Sequence, residues 1–262
     1  MPGPAAPRAG PRFRLDGLVG LVTGASRGLG ADTAVALAEA GAEVVLLSRT
    51  REELEEVAKR VTAVGGRARV LVCDVTDGGK IRSEIARIER LDVLVNNAGT
   101  NIPEPFVEVS EAHLERQLAL NVRAAYVVAQ AVVHKMLEAP DRRERGGAVI
   151  NISSQMGRVG APRRTVYCMT KHAIEGLTKA MAVELAPANI RVNAIAPTFL
   201  DTPMTASFFA NPEFREWVTS RIPLGRLGRT EEVTAAIVFL ASPASSLITG
   251  ASLAVDGGWT AQ

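Results

Sequence analysis

Short apolar segments alternate with longer helical segments along almost the whole chain, and this alternation is the strongest constraint on the fold. The apolar segments predict strands at 19–23, 43–48, 68–73, 91–95, 148–152, 190–194 and 252–255. The segments between them predict helices at 28–40, 51–64, 111–138, 165–186 and 230–240. Because the strands are apolar throughout, we expect both faces of their sheet to be buried.

Buried strands that alternate with helices form parallel sheets, because each connection must cross over the sheet. Right-handed crossovers place the helices on both faces. The sequence therefore predicts an α/β fold, a single Rossmann-type doubly wound parallel sheet with helices on both faces.

The domain organisation follows from the places where the alternation stops. No shift in composition marks a second domain, so residues 14–262 are predicted to form one domain. Residues 1–13 are rich in proline, glycine and arginine and are predicted to be a flexible tail. Residues 141–147 predict a polar loop. Residues 197–229 are long, irregular and rich in aromatic side chains, and we expect them to form a substrate lid.

The composition argues against several classes of function. The net charge of +2 gives no basis for binding nucleic acid. The two cysteines and three histidines lack the spacing of metal ligands, so no metal site is expected. No apolar run approaches the roughly 20 residues that span a bilayer, and no secretory signal is recognisable. We expect a cytoplasmic protein that acts without a membrane.

A glycine-rich turn directly follows the first predicted strand and begins the first helix. Its sequence is Thr23-Gly24-Ala25-Ser26-Arg27-Gly28-Leu29-Gly30. Glycines at 24, 28 and 30 permit a tight turn and a close approach of the backbone to a diphosphate, whose charge a helix N-terminus stabilises. A purely structural turn is the alternative, but this position between strand and helix favours dinucleotide binding.

The end of the second strand decides between the two nicotinamide cofactors. NAD sites usually carry an acidic residue there to bind the ribose 2′-hydroxyl, whereas this strand ends in Ser48-Arg49. Arg27 and Arg49 are placed to bind a 2′-phosphate, which favours NADP(H) over NAD(H). The alternative is that both arginines are merely solvated. Asp74, at the end of the third strand, is a candidate for contacting adenine or for capping the next helix.

Tyr167 and Lys171 are four residues apart in a predicted helix, so they share one helix face. A phenol is a poor base near neutral pH, but a neighbouring ammonium lowers its pKa and lets it exchange a proton with a substrate oxygen. Ser154 follows the fifth strand, at the edge where doubly wound sheets bind ligands. Its hydroxyl can polarise a carbonyl, although Ser153 competes for that role.

Together these motifs resemble the short-chain dehydrogenase/reductase family from about Leu15 onward. The resemblance rests on T-G-x-x-x-G-x-G at 23–30, Asn96-Asn97-Ala98-Gly99, Asn121, Ser154 and Tyr167-x-x-x-Lys171. It implies a dehydrogenase or reductase that interconverts a carbonyl and a secondary alcohol by hydride transfer. A non-catalytic dinucleotide-binding scaffold is disfavoured because Tyr167 and Lys171 are both present.

The resemblance assigns a role to each matching residue. Tyr167 would be the general acid/base, Lys171 would lower its pKa and bind the nicotinamide ribose, and Ser154 would stabilise the substrate oxygen. Asn121 would hold a water molecule in a proton relay with Lys171. The remaining implied cofactor contacts are Asp74 and Val75 at adenine, Asn97, Ala98 and Gly99 on the adenosine side, and Pro197 and Thr202 near the nicotinamide.

The chain departs from the family pattern at one place. Thr198 follows Pro197 where the family usually has glycine, which leaves the geometry of that turn open. The resemblance also implies a homotetramer, with the helices around 111–138 and 165–186 in one interface and the C-terminal stretch in another.

The substrate is less constrained by the sequence. Arg158, Arg163 and Arg164 lie between Ser154 and Tyr167, and they lead to the hypothesis of an anionic substrate such as a sugar acid or a 3-oxo acid. Solvated arginines or structural ion pairs are the equal alternative. An apolar pocket is also open, with candidate lining residues Phe199, Leu200, Met204, Phe208 and Phe209.

A 3-oxoacyl-carrier-protein reductase is the alternative function within the same chemistry. Such an enzyme needs a basic surface on which the acidic carrier protein docks. Arg142, Arg143 and Arg145 in the polar loop are the candidates for that surface.

Overall fold

The computed structural model describes residues 13–262, apart from the side chains of Pro203, Met204 and Ser207. Seven parallel strands form one sheet in the order β3-β2-β1-β4-β5-β6-β7. They are β1 (Val19–Thr23), β2 (Glu43–Ser48), β3 (Arg67–Val72), β4 (Val93–Asn96), β5 (Gly147–Ile152), β6 (Ile190–Pro197) and β7 (Ser252–Val255). The predicted doubly wound parallel sheet is confirmed, and the strand order reverses between β1 and β4.

Ten α-helices lie among the described residues. They are α1 (Gly28–Glu39), α2 (Arg51–Ala63), α3 (Gly78–Ala86), α4 (Glu111–Leu118), α5 (Ala125–Leu137), α6 (Arg142–Arg145), α7 (Thr165–Leu185), α8 (Pro203–Phe209), α9 (Pro212–Ser220) and α10 (Thr230–Ala241). Helices α1, α2 and α10 cover one face of the sheet, and α3, α5 and α7 cover the other.

The two cores are built from alternate residues of the same strands. In β2, Val44 and Leu46 belong to the core under α1, α2 and α10, whereas Val45 and Leu47 belong to the core under α3, α5 and α7. All four side chains are fully buried or nearly so. Side chains of a strand alternate between faces, so an uninterrupted apolar run is required when both faces are covered.

Helix α3 was not expected from the sequence. It begins after Asp77, whose side chain accepts a hydrogen bond from the backbone N–H of Lys80 at 3.0 Å. The two glycines that follow Asp77 are poor helix formers, and they concealed this helix. Of the two alternatives for Asp74, capping of the next helix is therefore wrong, because Asp77 caps it.

The helix predicted at 111–138 contains a change of pitch. α4 and α5 are joined by a π-helical segment, Ala119–Ala124, with no break in the chain direction. A π-helical turn contains one more residue per turn and so rotates the residues that follow it. Asn121 lies inside this segment and is buried.

The lid segment is more ordered than predicted. Within 197–229 the chain forms α8 and α9, so the expectation of an irregular segment is wrong. Asn211 caps α9 by accepting hydrogen bonds from the N–H groups of Glu213 and Phe214 at 2.9 and 3.2 Å. Proline occupies the first position of each helix, where its missing N–H costs nothing.

The polar loop before β5 contains the single helical turn α6. Arg142, expected on an exposed basic surface, is instead 4% exposed and lies 3.1 Å from the carboxylate of Asp92. Arg143 and Arg145 remain exposed. Arg142 therefore cannot belong to the exposed carrier-protein surface that was proposed from the sequence.

The N-terminal prediction can be checked only at its last residue. Residues 1–12 lie outside the described residues, and Phe13 packs its ring 6.2 Å from that of Phe239. None of the helices in the described part of the chain is long and apolar enough to cross a membrane.

Candidate active site

The glycine-rich turn between β1 and α1 shows why glycine is needed there. Gly24 and Gly28 have φ angles of +64° and +54°, in the left-handed region that favours glycine. A Cβ atom at Gly30 would collide with the carbonyl group of Gly24 and with the side-chain amide of Asn97. The turn is therefore packed too tightly for any side chain at position 30.

Asn97 holds the turn from the end of β4. Its Nδ2 donates to the carbonyl of Thr23 at 2.9 Å. In return, the Thr23 hydroxyl accepts the N–H groups of Asn97 and Ala98 at 2.9 and 3.0 Å. These bonds tie the two central strands together at the point where the strand order reverses, which is where doubly wound sheets bind ligands.

A cleft of about 840 Å³ lies over the carboxyl ends of the strands. Every residue predicted to bind the cofactor lines it, namely Gly24, Ser26, Arg27, Gly28, Leu29, Gly30, Ser48, Arg49, Asp74, Val75, Asn97, Ala98, Gly99, Tyr167, Lys171, Pro197 and Thr202. Ser154 lines it too, whereas Asn121 lies behind its wall. The residues predicted to bind the cofactor therefore lie together in the folded protein.

Two exposed arginines lie at the end of the cleft next to β2. Arg27 precedes α1 and Arg49 follows β2, and both side chains line the cleft. Arg49 lies 3.9 Å from the carboxylate of Asp74, a weak contact between exposed groups. Asp74 also accepts hydrogen bonds from the N–H and hydroxyl groups of Thr76. Glu53 of α2 lines this end as well and was not singled out from the sequence.

Tyr167 and Lys171 lie one turn apart on α7 and both face the cleft. The Nζ atom of Lys171 donates to the carbonyl of Ile152 at 2.7 Å and lies 5.5 Å from the ring centroid of Tyr167. The end of β5 thus fixes the ammonium beside the phenol.

Burial shifts the pKa values of both groups. It raises the pKa of Tyr167 to about 12, opposed by a hydrogen bond with Ser154 and by the charge of Arg164. It lowers the pKa of Lys171 to about 8, opposed by the negative charge of Glu175. The expectation that Lys171 lowers the pKa of Tyr167 is therefore wrong for this structure, because burial of the phenol dominates and raises its pKa. At neutral pH the phenol is protonated and ready to donate, while the lysine is still largely charged.

Two serines directly follow β5, and they have different hydrogen-bond partners. The Ser154 hydroxyl donates to Gln155 Oε1 at 2.7 Å and accepts from the N–H of Met156 at 3.1 Å. The Ser153 hydroxyl is buried and has no partner among the described residues. Both serines line the cleft, but only Ser154 lowers the pKa of Tyr167.

Both polar atoms of the Asn121 side chain form hydrogen bonds within the protein. Its Oδ1 accepts the N–H of Thr100 at 2.8 Å, and its Nδ2 donates to the Thr100 carbonyl at 2.8 Å and to the Thr170 hydroxyl at 3.1 Å. The amide thus fastens the loop after β4 to α7. The water-holding role implied for Asn121 stays a prediction.

Thr198 lies in the turn after Pro197, whose geometry could not be predicted from the sequence. Its φ is not positive, so no glycine is required there. Its N–H donates to the carbonyl of Val255 at 3.2 Å, while its buried hydroxyl has no partner among the described residues. Thr202 precedes α8 and forms a capping box with Thr205. Both Thr198 and Thr202 line the cleft.

The three arginines before Tyr167 have different environments. Arg158 donates to the carbonyl of Ser252 on β7, away from the cleft. Arg163 is exposed, with a left-handed φ of +59°. Arg164 is 6% exposed, and its guanidinium lies 5.5 Å above the centroid of the Phe208 ring. Of the three, only Arg164 contributes to the pKa of Tyr167, which its positive charge lowers.

The apolar residues proposed to line the substrate pocket also differ in their positions. Phe199, Leu200 and Phe208 line the cleft, whereas Phe209 packs edge-on against Phe199 at 5.9 Å. The side chain of Met204 lies outside the described residues. Sequence reasoning missed several polar lining residues, namely Asn101, Arg116, Gln155 and Thr205. Of these, only Gln155 had a signal, since it directly follows Ser154.

Comparison with known proteins agrees with this geometry. A family model described as "Enoyl-(Acyl carrier protein) reductase" matches residues 24–260. The chain is 40% identical to the 3-oxoacyl-[acyl-carrier-protein] reductase FabG of Thermotoga maritima, covering 94% of this chain and 99% of that protein. It is also 40% identical to L-xylulose reductase of Mus musculus, covering 94% and 98%.

Solved structures show the same likeness. A gluconate 5-dehydrogenase from Burkholderia cenocepacia, in complex with NADP and tartrate, superposes with a TM-score of 0.90 at 35% identity, over 96% of this chain and 98% of that one. A short-chain type dehydrogenase/reductase from Mycobacterium marinum gives 0.90 at 36% identity, over 96% and 98%. The resemblance seen in the motifs is confirmed, and the chain belongs to the short-chain dehydrogenase/reductase family of oxidoreductases.

Proposed function

We propose that this protein is an NADP(H)-dependent oxidoreductase that interconverts a carbonyl and a secondary alcohol. The observation that carries the proposal is that Tyr167, Lys171 and Ser154 line the same cleft as the glycine-rich turn. Proton transfer and dinucleotide binding are thereby joined in one cavity. A non-catalytic scaffold has no need for a buried phenol beside a buried ammonium.

The residues of the cleft fit a dinucleotide. The turn leads into the start of α1 at the wall of the cleft, and the free N–H groups of a helix N-terminus suit a diphosphate. Arg27 and Arg49 supply positive charge where β2 ends without a carboxylate, and the gluconate 5-dehydrogenase named above binds NADP. A bound nicotinamide would supply the hydride in reduction or accept it in oxidation.

The protein's own contribution is to move a proton and stabilise charge. In reduction, Tyr167 donates its phenolic proton to the substrate oxygen as the carbonyl becomes an alcohol. The Lys171 ammonium stabilises the phenolate that results, and the Ser154 hydroxyl hydrogen-bonds the substrate oxygen. In oxidation the same proton moves in the opposite direction. The assignment of these roles, with Asn121 in support, is part of the proposal.

Titration with each reduced cofactor, followed by nicotinamide fluorescence, tests the binding half of the proposal. We expect tighter binding of NADPH than of NADH. Replacing Tyr167 by Phe tests the chemical half, since it removes the proton and keeps the ring. Carbonyl reduction should fall roughly 100-fold to 10,000-fold while NADPH binding is retained. Unchanged turnover in Tyr167→Phe would refute the proposed chemistry.

A 3-oxoacyl-carrier-protein reductase is the second candidate, favoured by the likeness to FabG of Thermotoga maritima. Arg143 is exposed on α6, but Arg142 is buried against Asp92 and is not available for docking. Turnover of a carrier-protein thioester, compared with a free small ketone, distinguishes the two functions. Strong preference for the carrier-bound substrate would favour the second candidate.

The resemblance to the family also bears on domain organisation, location and assembly. We propose that residues 14–262 act as one catalytic domain, in the cytoplasm, and assemble as a homotetramer. Exposed apolar side chains on α5 and α7 support assembly, because Tyr126 is 52% exposed and Val183 is 80% exposed. Light scattering of the purified protein measures the number of subunits. A monomer at micromolar concentration would contradict this part.

A further inference from the structure

We infer that Trp259, near the end of the chain, is a positioning residue that sets the depth of the cleft through the ring of Phe199. The inference rests on the proposed oxidoreductase function and concerns the size of the carbonyl substrate. Phe199 lines the cleft, whereas Trp259 does not line it and packs against Phe199 at a centroid distance of 5.9 Å. Trp259 therefore acts on the choice of substrate without touching it.

Aromatic side chains are concentrated beside one wall of the cleft. The chain has seven phenylalanines, two tryptophans and two tyrosines. Six of these residues form an aromatic cluster in which neighbouring ring centroids lie 5.8 to 6.4 Å apart, namely Phe199, Phe208, Phe209, Phe214, Trp217 and Trp259. They come from the turn after β6, from α8, from α9 and from the C-terminal segment. The aromatic cluster therefore joins four separate parts of the chain.

Phe199 connects the aromatic cluster with the cleft. Three rings lie around it at centroid distances of 5.8 to 5.9 Å, namely those of Phe209, Phe214 and Trp259. The Phe199 side chain is 8% exposed and lines the cleft, as does Met156 of the same apolar core. Tyr167, the proposed proton donor, packs against this core as well. The position of the Phe199 ring thus limits the space that a substrate at Tyr167 can fill.

The C-terminal turn holds Trp259 in place. Asp256 is 6% exposed, and its carboxylate accepts the N–H and the hydroxyl of Thr260 at 3.0 and 2.6 Å. The carbonyl of Gly257 accepts the N–H of Leu224 at 3.1 Å, which ties the turn to the end of the lid segment. Gly257 has a φ of +60°, in the left-handed region that favours glycine. Trp259 is therefore a fixed support for Phe199 and not a loose end of the chain.

Removal of the Trp259 ring would leave an empty space beside Phe199. A closely packed core closes such a space only in part, by shifts of the side chains that border it. Phe199 borders both this space and the cleft, so its ring would move away from the cleft and the cleft would deepen. The wild-type position of Trp259 thus favours short carbonyl substrates over long ones.

Trp217 offers a matched control. Its ring stacks on that of Phe214 at 5.8 Å and meets that of Trp259 at 6.0 Å, and among the described residues it has no ring contact with Phe199. Both tryptophans are half-buried, so their replacement by alanine should lower the melting temperature by similar amounts. Only the replacement of Trp259 removes direct support from Phe199.

Methyl ketones of increasing length test the inference. 2-Butanone, 2-hexanone and 2-octanone differ only in the length of the chain beyond the carbonyl, and their reduction is followed by consumption of NADPH. Trp259→Phe, Trp259→Leu and Trp259→Ala remove progressively more of the ring, so a graded effect is measurable even if the alanine variant does not fold. Trp217→Ala is the control. Crystal structures of the wild type and of the smallest folded variant give the position of the Phe199 ring independently of turnover.

We expect the ratio of kcat/KM for 2-octanone to that for 2-butanone to rise about tenfold or more in Trp259→Ala. The rise should come mainly from KM, since the groups that transfer the proton are unchanged. Trp259→Leu should give an intermediate ratio, and Trp259→Phe should stay within about threefold of the wild type because it keeps an aromatic ring. Trp217→Ala should lose stability and keep the wild-type ratio. In the crystal structures, the Phe199 ring should lie further from Tyr167 in the variant.

Other outcomes would overturn the inference. Equal changes of the ratio in Trp259→Ala and Trp217→Ala, or a Phe199 ring that stays in place, would show that Trp259 serves stability alone, and the proposed reaction would stand. The same holds if the wild type and every variant bind NADPH but reduce none of the three ketones. A wild type that binds no nicotinamide cofactor and reduces no carbonyl would instead reject the proposed function and the inference with it.

Discussion

Glu175 lies one helical turn beyond Lys171 on α7, and both side chains are buried, at 8% and 6% exposure. The only side-chain hydrogen bond of Glu175 among the described residues is from the Ser252 hydroxyl, at 2.9 Å. A carboxylate in this position keeps the pKa of Lys171 higher than burial alone would allow. The pKa of Lys171 is therefore raised by the charge of a residue that does not line the cleft.

Replacing Glu175 by Gln should shift the pH dependence of carbonyl reduction to lower pH. Burial already lowers the pKa of Lys171 to about 8, and removal of the Glu175 charge lowers it further. The ammonium that stabilises the Tyr167 phenolate is then lost earlier as pH rises. The measurement is the pH profile of kcat/KM with NADPH. Ser252→Ala removes the hydrogen bond but keeps the charge, so its profile should match the wild type. Identical profiles for Glu175→Gln and the wild type would contradict this explanation.

Removing the charge of Arg27 or Arg49 should change the choice of cofactor. Arg27→Gln and Arg49→Gln should each weaken NADPH binding about tenfold, the loss of one phosphate contact, and leave NADH binding nearly unchanged. Arg51→Gln is the control, because Arg51 is exposed on α2 and pairs with Glu55 outside the cleft. Fluorescence titration gives both constants. Parallel losses for NADPH and NADH would show that these arginines do not recognise the 2′-phosphate.

The sheet could be predicted because each of its strands is recognisable from its own apolar sequence. Uninterrupted apolar runs such as Val44–Leu47 are buried on both faces, and the ends of each predicted strand lie within three residues of the observed ones. Helices α8 and α9 were missed because seven and nine residues are too few to show a helical period. Their N-terminal signals, Thr202-Pro203 and Asn211-Pro212, were present in the sequence.

The candidate site was predictable to the extent that it follows β-strand ends. Glycines, Ser154 and the Tyr167–Lys171 pair are fixed by local sequence and the parallel sheet. Arg164 could not be separated from Arg158 and Arg163 in advance. Its burial depends on the left-handed turn at Arg163 and on the Phe208 ring from a distant helix.

Adding one methyl group at Gly30 should destabilise the protein and remove cofactor binding. The new Cβ atom has no space between the Gly24 carbonyl and the Asn97 amide, so the turn must move. Such overpacking costs about 1–3 kcal/mol, and the displaced N–H groups no longer suit a diphosphate. Gly176→Ala is the matched control. Gly176 lies within α7 with open space around it, so alanine there should stabilise by about 0.5–1 kcal/mol. Thermal unfolding and NADPH titration measure both effects, and normal NADPH affinity in Gly30→Ala would disprove the packing argument.

The buried pair of Arg142 and Asp92 should support stability and not catalysis. The guanidinium lies 3.1 Å from the carboxylate and donates to the Met136 carbonyl at 2.9 Å. Asp92 is 1% exposed and also accepts the N–H of Val19 at 2.9 Å. The pair lies where β1 and β5 begin, at the edge of the sheet opposite the cleft.

Arg142→Met should therefore lower the free energy of unfolding by about 1–3 kcal/mol, because Asp92 loses one buried charged partner but keeps Arg90 at 2.8 Å. Below the melting temperature, kcat and KM should stay near wild-type values. The control is Arg143→Met, which removes an exposed charge and should change stability by less than about 0.5 kcal/mol. A double-mutant cycle with Asp92→Asn separates the pairwise energy from the packing of the arginine stem. If Arg142→Met unfolds normally but loses turnover of carrier-bound substrates, the residue serves docking after all, and the structural role is wrong.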